Sequence, residues 1–202
     1  MKTVPKFVSK YSLNLKDNLQ SYFINSTTLK HFMNVIIIRG PGGAGKTTIS
    51  EQLAEKLRET RKTALIASDT FYWGTSGVEK NEDIIYEGMA RLTEMYLSYD
   101  YDVIVEGILS SKDNDILRIR KIISLGEKMK ANIILFYLNV NIDESQKRIK
   151  EKFNRQGWPY SEEETKVWYN KSKENRIKGE IEIDSQNNDI KTTCQNMLKH
   201  IV

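Results

Sequence analysis

The sequence predicts an α/β fold with a parallel sheet covered by helices on both faces, and two patterns carry that expectation. Short apolar runs alternate with longer amphipathic stretches from residue 33 to residue 201. Most of the runs are continuously apolar rather than apolar at every second position, as in strands buried on both faces. A chain of 202 residues holds one such domain of ordinary size and little more.

The elements follow in order. Val35-Ile36-Ile37-Ile38 is β-branched throughout and reads as the first strand. Over residues 46–60, Ile49, Leu53, Ala54 and Leu57 recur at helical spacing. Residues 63–67 read as a second strand. Residues 82–98 read as a helix with Ile85, Met89, Leu92, Met95 and Tyr96 on one face. A third strand is expected over 103–105, a helix over 113–130 and a fourth strand over 133–138. Residues 142–156 and 161–177 read as two highly charged helices. Residues 180–183 form a weaker fifth strand, and 189–201 a closing helix. Residues 1–32 break the alternation. They form either an N-terminal helix packed on the domain or an extension upstream of Met33, which stands directly before the first strand.

Composition narrows the class. Hydrophobic residues at 39% and charged residues at 29% describe a soluble globular chain, not a disordered or fibrous one. No apolar run approaches the ~18 residues of a membrane-spanning helix. Residues 3–25 mix polar and apolar side chains, unlike a secretory signal, so a cytoplasmic location is expected. The single Cys194 forms no internal disulfide, and His31 and His200 are too few and too far apart for a zinc site. The net charge of +4 is mild, with net +4 over residues 1–34 and net +3 over 141–178. A nucleic-acid partner usually leaves a stronger basic footprint, so nucleic acid is not the expected partner; a small phosphorylated ligand suits a local basic segment.

Residues 40–47, Gly-Pro-Gly-Gly-Ala-Gly-Lys-Thr, satisfy G-x-x-x-x-G-K-[ST] in full, a Walker A sequence between a strand and a helix. Gly40, Gly42, Gly43, Ala44 and Gly45 supply backbone N–H groups that turn inward around phosphate oxygens. The helix opening at Lys46 points its positive end at the same anion. Lys46 adds a point charge for the β- and γ-phosphates. Thr47 offers its hydroxyl to Mg²⁺, and Thr48 can donate to a further phosphate oxygen. The partner is a nucleotide triphosphate.

Two acids bear on the fate of that triphosphate. Asp69 follows the second strand directly, at the end of the sheet where ligands of open α/β folds bind. There it can take the proton of an attacking hydroxyl; a helix cap or a turn is its purely structural alternative. Glu106 ends the third strand before Gly107, the Walker B arrangement for supporting a metal ion. Asp102 starts the same strand, at the opposite end of the sheet, and is expected to be structural. After the fourth strand, Arg148 and Lys152 stand four residues apart on one helical face, with Arg155 one turn on. Such a lid can close over a triphosphate and neutralise charge on the transferred group. Trp158, Trp168 and Tyr169 are expected to belong to local core rather than to a substrate wall.

These residues resemble the small P-loop kinases, a group that includes chloramphenicol phosphotransferase, the kinase part of polynucleotide kinases and the zeta toxins. The likeness is nearest to a set of uncharacterised bacterial kinase-like proteins and spans about residues 33–201. It rests on the loop at 40–48, on Ser68-Asp69, on Glu106-Gly107-Ile108-Leu109, on Phe136-Tyr137-Leu138-Asn139-Val140, on Glu144 through Arg148, and on Trp168-Tyr169. Ile149 departs from the pattern, where the family has histidine, and Lys152 stands where arginine is common. The resemblance implies a P-loop NTPase fold with a five-stranded parallel sheet and a helical lid over about 142–178 of a kinase domain at 33–202. It implies ATP and Mg²⁺ as cofactors, Asp69 as base, Arg148 on the nucleotide, and residues 185–188 against the adenine. The expected activity is ATP-dependent phosphoryl transfer to a hydroxyl of a small molecule, catalysed by Asp69, Lys46 and Arg148. The alternatives are transfer to a nucleic-acid hydroxyl, a nucleotide-dependent switch with little turnover, and a toxin.

Overall fold

In a computed structural model of the chain, residues 32–74, 81–107, 114–156 and 161–201 are described, without the side chains of 72–74 and 153–156. Five strands, β1 Asn34–Arg39, β2 Thr63–Ala67, β3 Asp102–Glu106, β4 Asn132–Asn139 and β5 Ile181–Asp184, form one sheet in the order β2-β3-β1-β4-β5. Every pairing is parallel, with Ile38 beside Glu106 on one side and beside Phe136 on the other. The helices are α1 Lys46–Arg58, α2 Ser68–Gly74, α3 Glu82–Ser98, α4 Asp115–Lys128, α5 Ile142–Gln156, α6 Glu162–Glu174 and α7 Ile190–Leu198. The elements expected from residue 33 onward are all present, with ends moved by a few residues, while residues 1–31, read as an N-terminal helix or an upstream extension, lie outside the described residues. The addition is α2, a seven-residue helix over a stretch to which the sequence assigned no element. It is too short for a period to register, and its start is marked by Ser68 and by Asp69 in the first turn, where the helix dipole favours an acid.

Alternation along each strand divides the core in two. Ile36, Ile38, Ile104, Phe136 and Leu138 face α1 and α7, packing on Ile49, Leu53, Cys194 and Met197. Val35, Ile37, Val103 and Val105 face the opposite side, against Ile85 and Met89 of α3 and Ile119 and Ile122 of α4. Burying each such side chain contributes ~1.5–3 kcal/mol. β1 is covered on both faces along its whole length, which explains its unbroken apolar run.

The ends of the sheet are polar and specific. At the N-terminal end, the buried Asp102 carboxylate accepts from the Asn34 backbone N–H at 2.8 Å, from Asn34 Nδ2 at 3.2 Å and from Arg61 at 3.4 Å. That fastens β1 to β3 and bears out the structural reading of Asp102. At the other end, Arg39 is completely buried and pairs with Glu180. It also donates to the Asn175 carbonyl at 2.6 Å, and Arg176 lies 3.8 Å over the ring of Tyr137. Burial lowers the Arg39 pKa, opposed by Glu180. The segment between α6 and β5 is thereby tied to the last residue before the glycine loop. Among the described residues, no helix is long and apolar enough to cross a membrane.

Candidate active site

The chain leaves β1 at Arg39, turns through residues 40–45 and enters α1 at Lys46. Gly43 has φ +70°, and a Cβ there would lie 2.6 Å from the Ser145 carbonyl oxygen, so only glycine fits. Gly45, at φ +83°, is the N-cap of α1 and brings no side chain to its first N–H groups, which leaves them for an anion. Gly40 packs against Leu138 and Gly42 against Ile149. Ala44 turns its methyl into the core on the α1 face, so only its backbone serves the loop. Ser145 Oγ donates to the Gly42 carbonyl at 2.8 Å, and Arg148 Nη1 donates to the Gly43 carbonyl at 3.3 Å. The start of α5 thus braces the loop from outside.

Lys46 is buried, and its ammonium donates to the Pro41 carbonyl at 2.8 Å. Burial pulls its pKa down to about 8, against the attraction of Glu106 and Asp69 and with the repulsion of Lys152. Glu106 is almost fully buried at the tip of β3 and accepts from Thr47 Oγ1 at 3.2 Å. Burial raises its pKa, opposed by the charge of Lys46. Asp69 lies in the first turn of α2, exposed, and close enough to act electrostatically on both Lys46 and Glu106. Gly42, Gly43, Lys46, Thr47, Asp69, Glu106, Gly107, Arg148, Ile149, Lys152, Thr165 and Trp168 line one pocket. The fold therefore gathers Asp69, Glu106 and the glycine loop from the tips of β2, β3 and β1, and Arg148 and Lys152 from α5. Thr48 is exposed on α1, outside this wall. The Arg155 and Trp158 side chains fall outside the described residues.

The pair Thr47–Glu106 is a hydroxyl and a buried carboxylate within hydrogen-bond reach, an oxygen set that suits Mg²⁺. No group of three or more His, Cys, Asp or Glu gathers among the described residues, so such an ion would complete its shell with water and phosphate oxygens. Arg148 is fixed by Glu144 at 2.8 Å and also donates to the Ser185 carbonyl at 3.2 Å. It links the glycine loop to the β5–α7 connection. There Asp184 Oδ1 accepts from the backbone N–H groups of Gln186 and Asn187 at 2.9 and 3.0 Å.

Of the two adjacent aromatic residues expected to be core, one is and one is not. Tyr169 is core, its hydroxyl donating to the Val140 carbonyl at 2.9 Å. Trp168 is half-buried and lines the pocket instead. Adjacent helical positions point about 100° apart, so one cannot share the other's surroundings. Ile149 and Thr165 also reach the pocket without having been singled out as lining it. The available signal was an isoleucine within an otherwise charged stretch, and Thr165–Trp168 at helical i,i+3 spacing.

A phosphate loop at a helix N-terminus, on a five-stranded parallel sheet ordered β2-β3-β1-β4-β5, defines a P-loop nucleotide-binding domain. Residues 35–168 match the AAA_33 family, described as an AAA domain, and the chain belongs to that family. No curated protein matches the sequence. Among solved structures, the APS kinase CysC of Mycobacterium tuberculosis, in complex with AMPPNP and APS, is similar at TM-score 0.58 and 12% identity, over 83% of this chain and 96% of that one. A kinase-like protein of Chloroflexus aurantiacus J-10-fl is similar at TM-score 0.60 and 18% identity, over 85% of this chain and all of the other. A chain of the Pnkp1/Rnl/Hen1 RNA repair complex is similar at TM-score 0.57 and 16% identity, over 74% of this chain and 48% of that one. At these identities the likeness concerns the fold.

The depressed pKa of Lys46 has a consequence for binding. Phosphate oxygens favour the charged ammonium, so an affinity that depends on it is complete below about pH 8 and declines above it. The affinity for AMPPNP, measured by calorimetry, is expected to be flat below pH 7.5 or so. It should then weaken by up to ~10-fold per pH unit above 8, until the pKa of the bound form is passed. A flat profile to pH 9.5 would show that Lys46 does not contact the phosphates.

Proposed function

We propose that the protein is an ATP-dependent kinase that transfers the γ-phosphoryl group to a hydroxyl of a small molecule. In this reading the domain spans 33–202, with a lid over about 142–178. The observation that favours it is the exposed carboxylate of Asp69 in the same pocket as the glycine loop, Lys46 and Glu106. A carboxylate at that point can take the proton of an attacking hydroxyl.

The triphosphate tail lies along the N–H groups of residues 42–46, with Lys46 on the β- and γ-phosphates. The acceptor oxygen forms a bond to the γ-phosphorus as the bond from that phosphorus to the β-bridging oxygen breaks. The acceptor proton goes to Asp69, and the bonding pair leaves with ADP. Thr47 and Glu106 would hold Mg²⁺, which supplies charge neutralisation to the phosphates when bound. Arg148 sits at the boundary between phosphates and base, and Lys152 closes from α5. Residues 185–188 supply the edge against the adenine.

The test is a transfer assay with γ-labelled ATP and a panel of hydroxylated metabolites, including oligonucleotides with free hydroxyl ends. Label appearing on a small acceptor supports the reading. Label on the oligonucleotides alone would move the acceptor to nucleic acid, and label released only as inorganic phosphate would leave a nucleotide-driven switch.

A further inference from the structure

We propose that the indole of Trp168 is the platform on which the acceptor's ring lies, and that the acceptor is a neutral ring-bearing alcohol. This rests on the kinase reading above and names the substrate class of the same pocket.

The argument begins with the two faces of the sheet. α1 and α7 cover one face, and the β5–α7 connection opens on that side. α6 lies on the other. Its Ser172 hydroxyl meets the hydroxyl of Tyr137, which alternates along β4 with Phe136 and Leu138 of the α1 side, and Ile177 beyond its C-terminus packs with the core of α3 and α4. α7 and α6 therefore cover opposite faces of the sheet. Consistently, none of residues 185–188 lines the pocket, whereas Trp168 and Thr165 do. The space bounded by Trp168 belongs with Asp69 and Glu106, beyond the γ-phosphate.

The wall is also rigid. Tyr169 is bonded to the Val140 carbonyl at 2.9 Å, Ser172 to Tyr137 at 3.1 Å, and Arg39 to the Asn175 carbonyl at 2.6 Å. Thr165, one turn before Trp168, is buried and hydrogen-bonded to Gln146 of α5 at 2.9 Å. Neighbouring contacts thus hold the helix in place, and the half-buried indole lines the pocket. It is the only aromatic side chain among the described residues of the pocket. An aromatic face beside a reactive centre is a stacking surface.

Charge decides between a neutral and an anionic acceptor. The cations among the described lining residues are Lys46, Arg148 and Lys152. Lys46 stands within the glycine loop, Arg148 reaches toward Ser185, and Lys152 acts on Lys46 and Glu106 from the lid. Lys46 and Arg148 are held on carbonyls of the glycine loop, and Lys152 is shared between that loop and Glu106. An acid on the acceptor would meet the exposed carboxylate of Asp69.

The experiment uses the full chain and matched pairs of acceptors: uridine with UMP, adenosine with AMP, and 4-nitrophenyl glucoside with its 6-phosphate. Acceptor-stimulated ADP release is measured, with transfer of labelled phosphate as the second readout. Stimulation by a neutral member over its phosphorylated partner is expected. Trp168→Ala should then raise the KM of that acceptor by about tenfold and leave the KM of ATP unchanged, with Trp168→Phe restoring most of the loss. Val167→Ala, one residue along on the exposed side of α6, should change neither. Stimulation by the phosphorylated members alone overturns this inference while the kinase reading stands. A Trp168→Ala variant that loses ATP affinity overturns it too, because the indole then belongs to the nucleotide. Stimulation by no member, with label released only as inorganic phosphate, removes both.

Discussion

Asp69→Asn is expected to lower acceptor-dependent ADP release by ~10²–10⁴-fold, the usual contribution of a positioned general base. The substitution keeps the size of the side chain and removes its capacity to take a proton. Asp69 lies in the first turn of α2. It is exposed, so the fold has little reason to respond. The affinity for AMPPNP, measured by calorimetry, should therefore stay about the same or rise slightly, because one negative charge has left the neighbourhood of Lys46. A loss confined to kcat, with ATP binding intact, assigns Asp69 to the chemical step. Unchanged turnover would remove Asp69 from the mechanism. A parallel loss of nucleotide affinity would make it a binding residue.

Lys46→Met is expected to weaken AMPPNP binding by ~10–100-fold, as for a lost hydrogen bond to a charged group, and turnover by ~10³-fold, as for a lost donor to developing charge. Methionine keeps the unbranched chain and the volume in the buried slot. The native ammonium is desolvated there, which is why its pKa falls to about 8. Replacing it with an apolar group therefore removes a cost of burial from the free protein. Thermal unfolding of the variant without nucleotide should come no lower than that of the wild type. The stabilisation that AMPPNP adds to the wild type should shrink in proportion to the lost affinity. A variant that binds nucleotide normally would show that the ammonium stays on the Pro41 carbonyl and never engages phosphate.

The two variants separate what the pocket does. One removes a carboxylate at the tip of β2 and the other a positive charge at the start of α1, yet Lys46 feels Asp69 directly. Their effects should accordingly not add, and the double variant would measure the coupling.

Some of this was legible without coordinates because local chemistry speaks locally. A β-branched run followed by glycines, lysine and threonine needs no distant partner to be read, since each residue type answers to the backbone N–H groups and phosphate beside it. The same holds for Glu106 and Asp69, each standing directly after an apolar strand. α2 was less legible because seven residues are too few for a periodicity to stand out. Trp168 and Tyr169 were not separable either. Both sit in a charged stretch with weak patterning, and only the placement of α6 against Val140 decides which of them is core.

By itself, then, the sequence determined the alternation of strand and helix, the anion-binding loop and the acids at the strand tips, because short-range periodicity and backbone chemistry encode them. Tertiary structure alone decided the burial of Arg39 with Glu180, the bracing of the glycine loop by Ser145 and Arg148, and the exposure of the Trp168 indole to the pocket. Those contacts join residues more than a hundred positions apart, or depend on which side of a helix meets a neighbour. Only the closing of the sheet sets such relations.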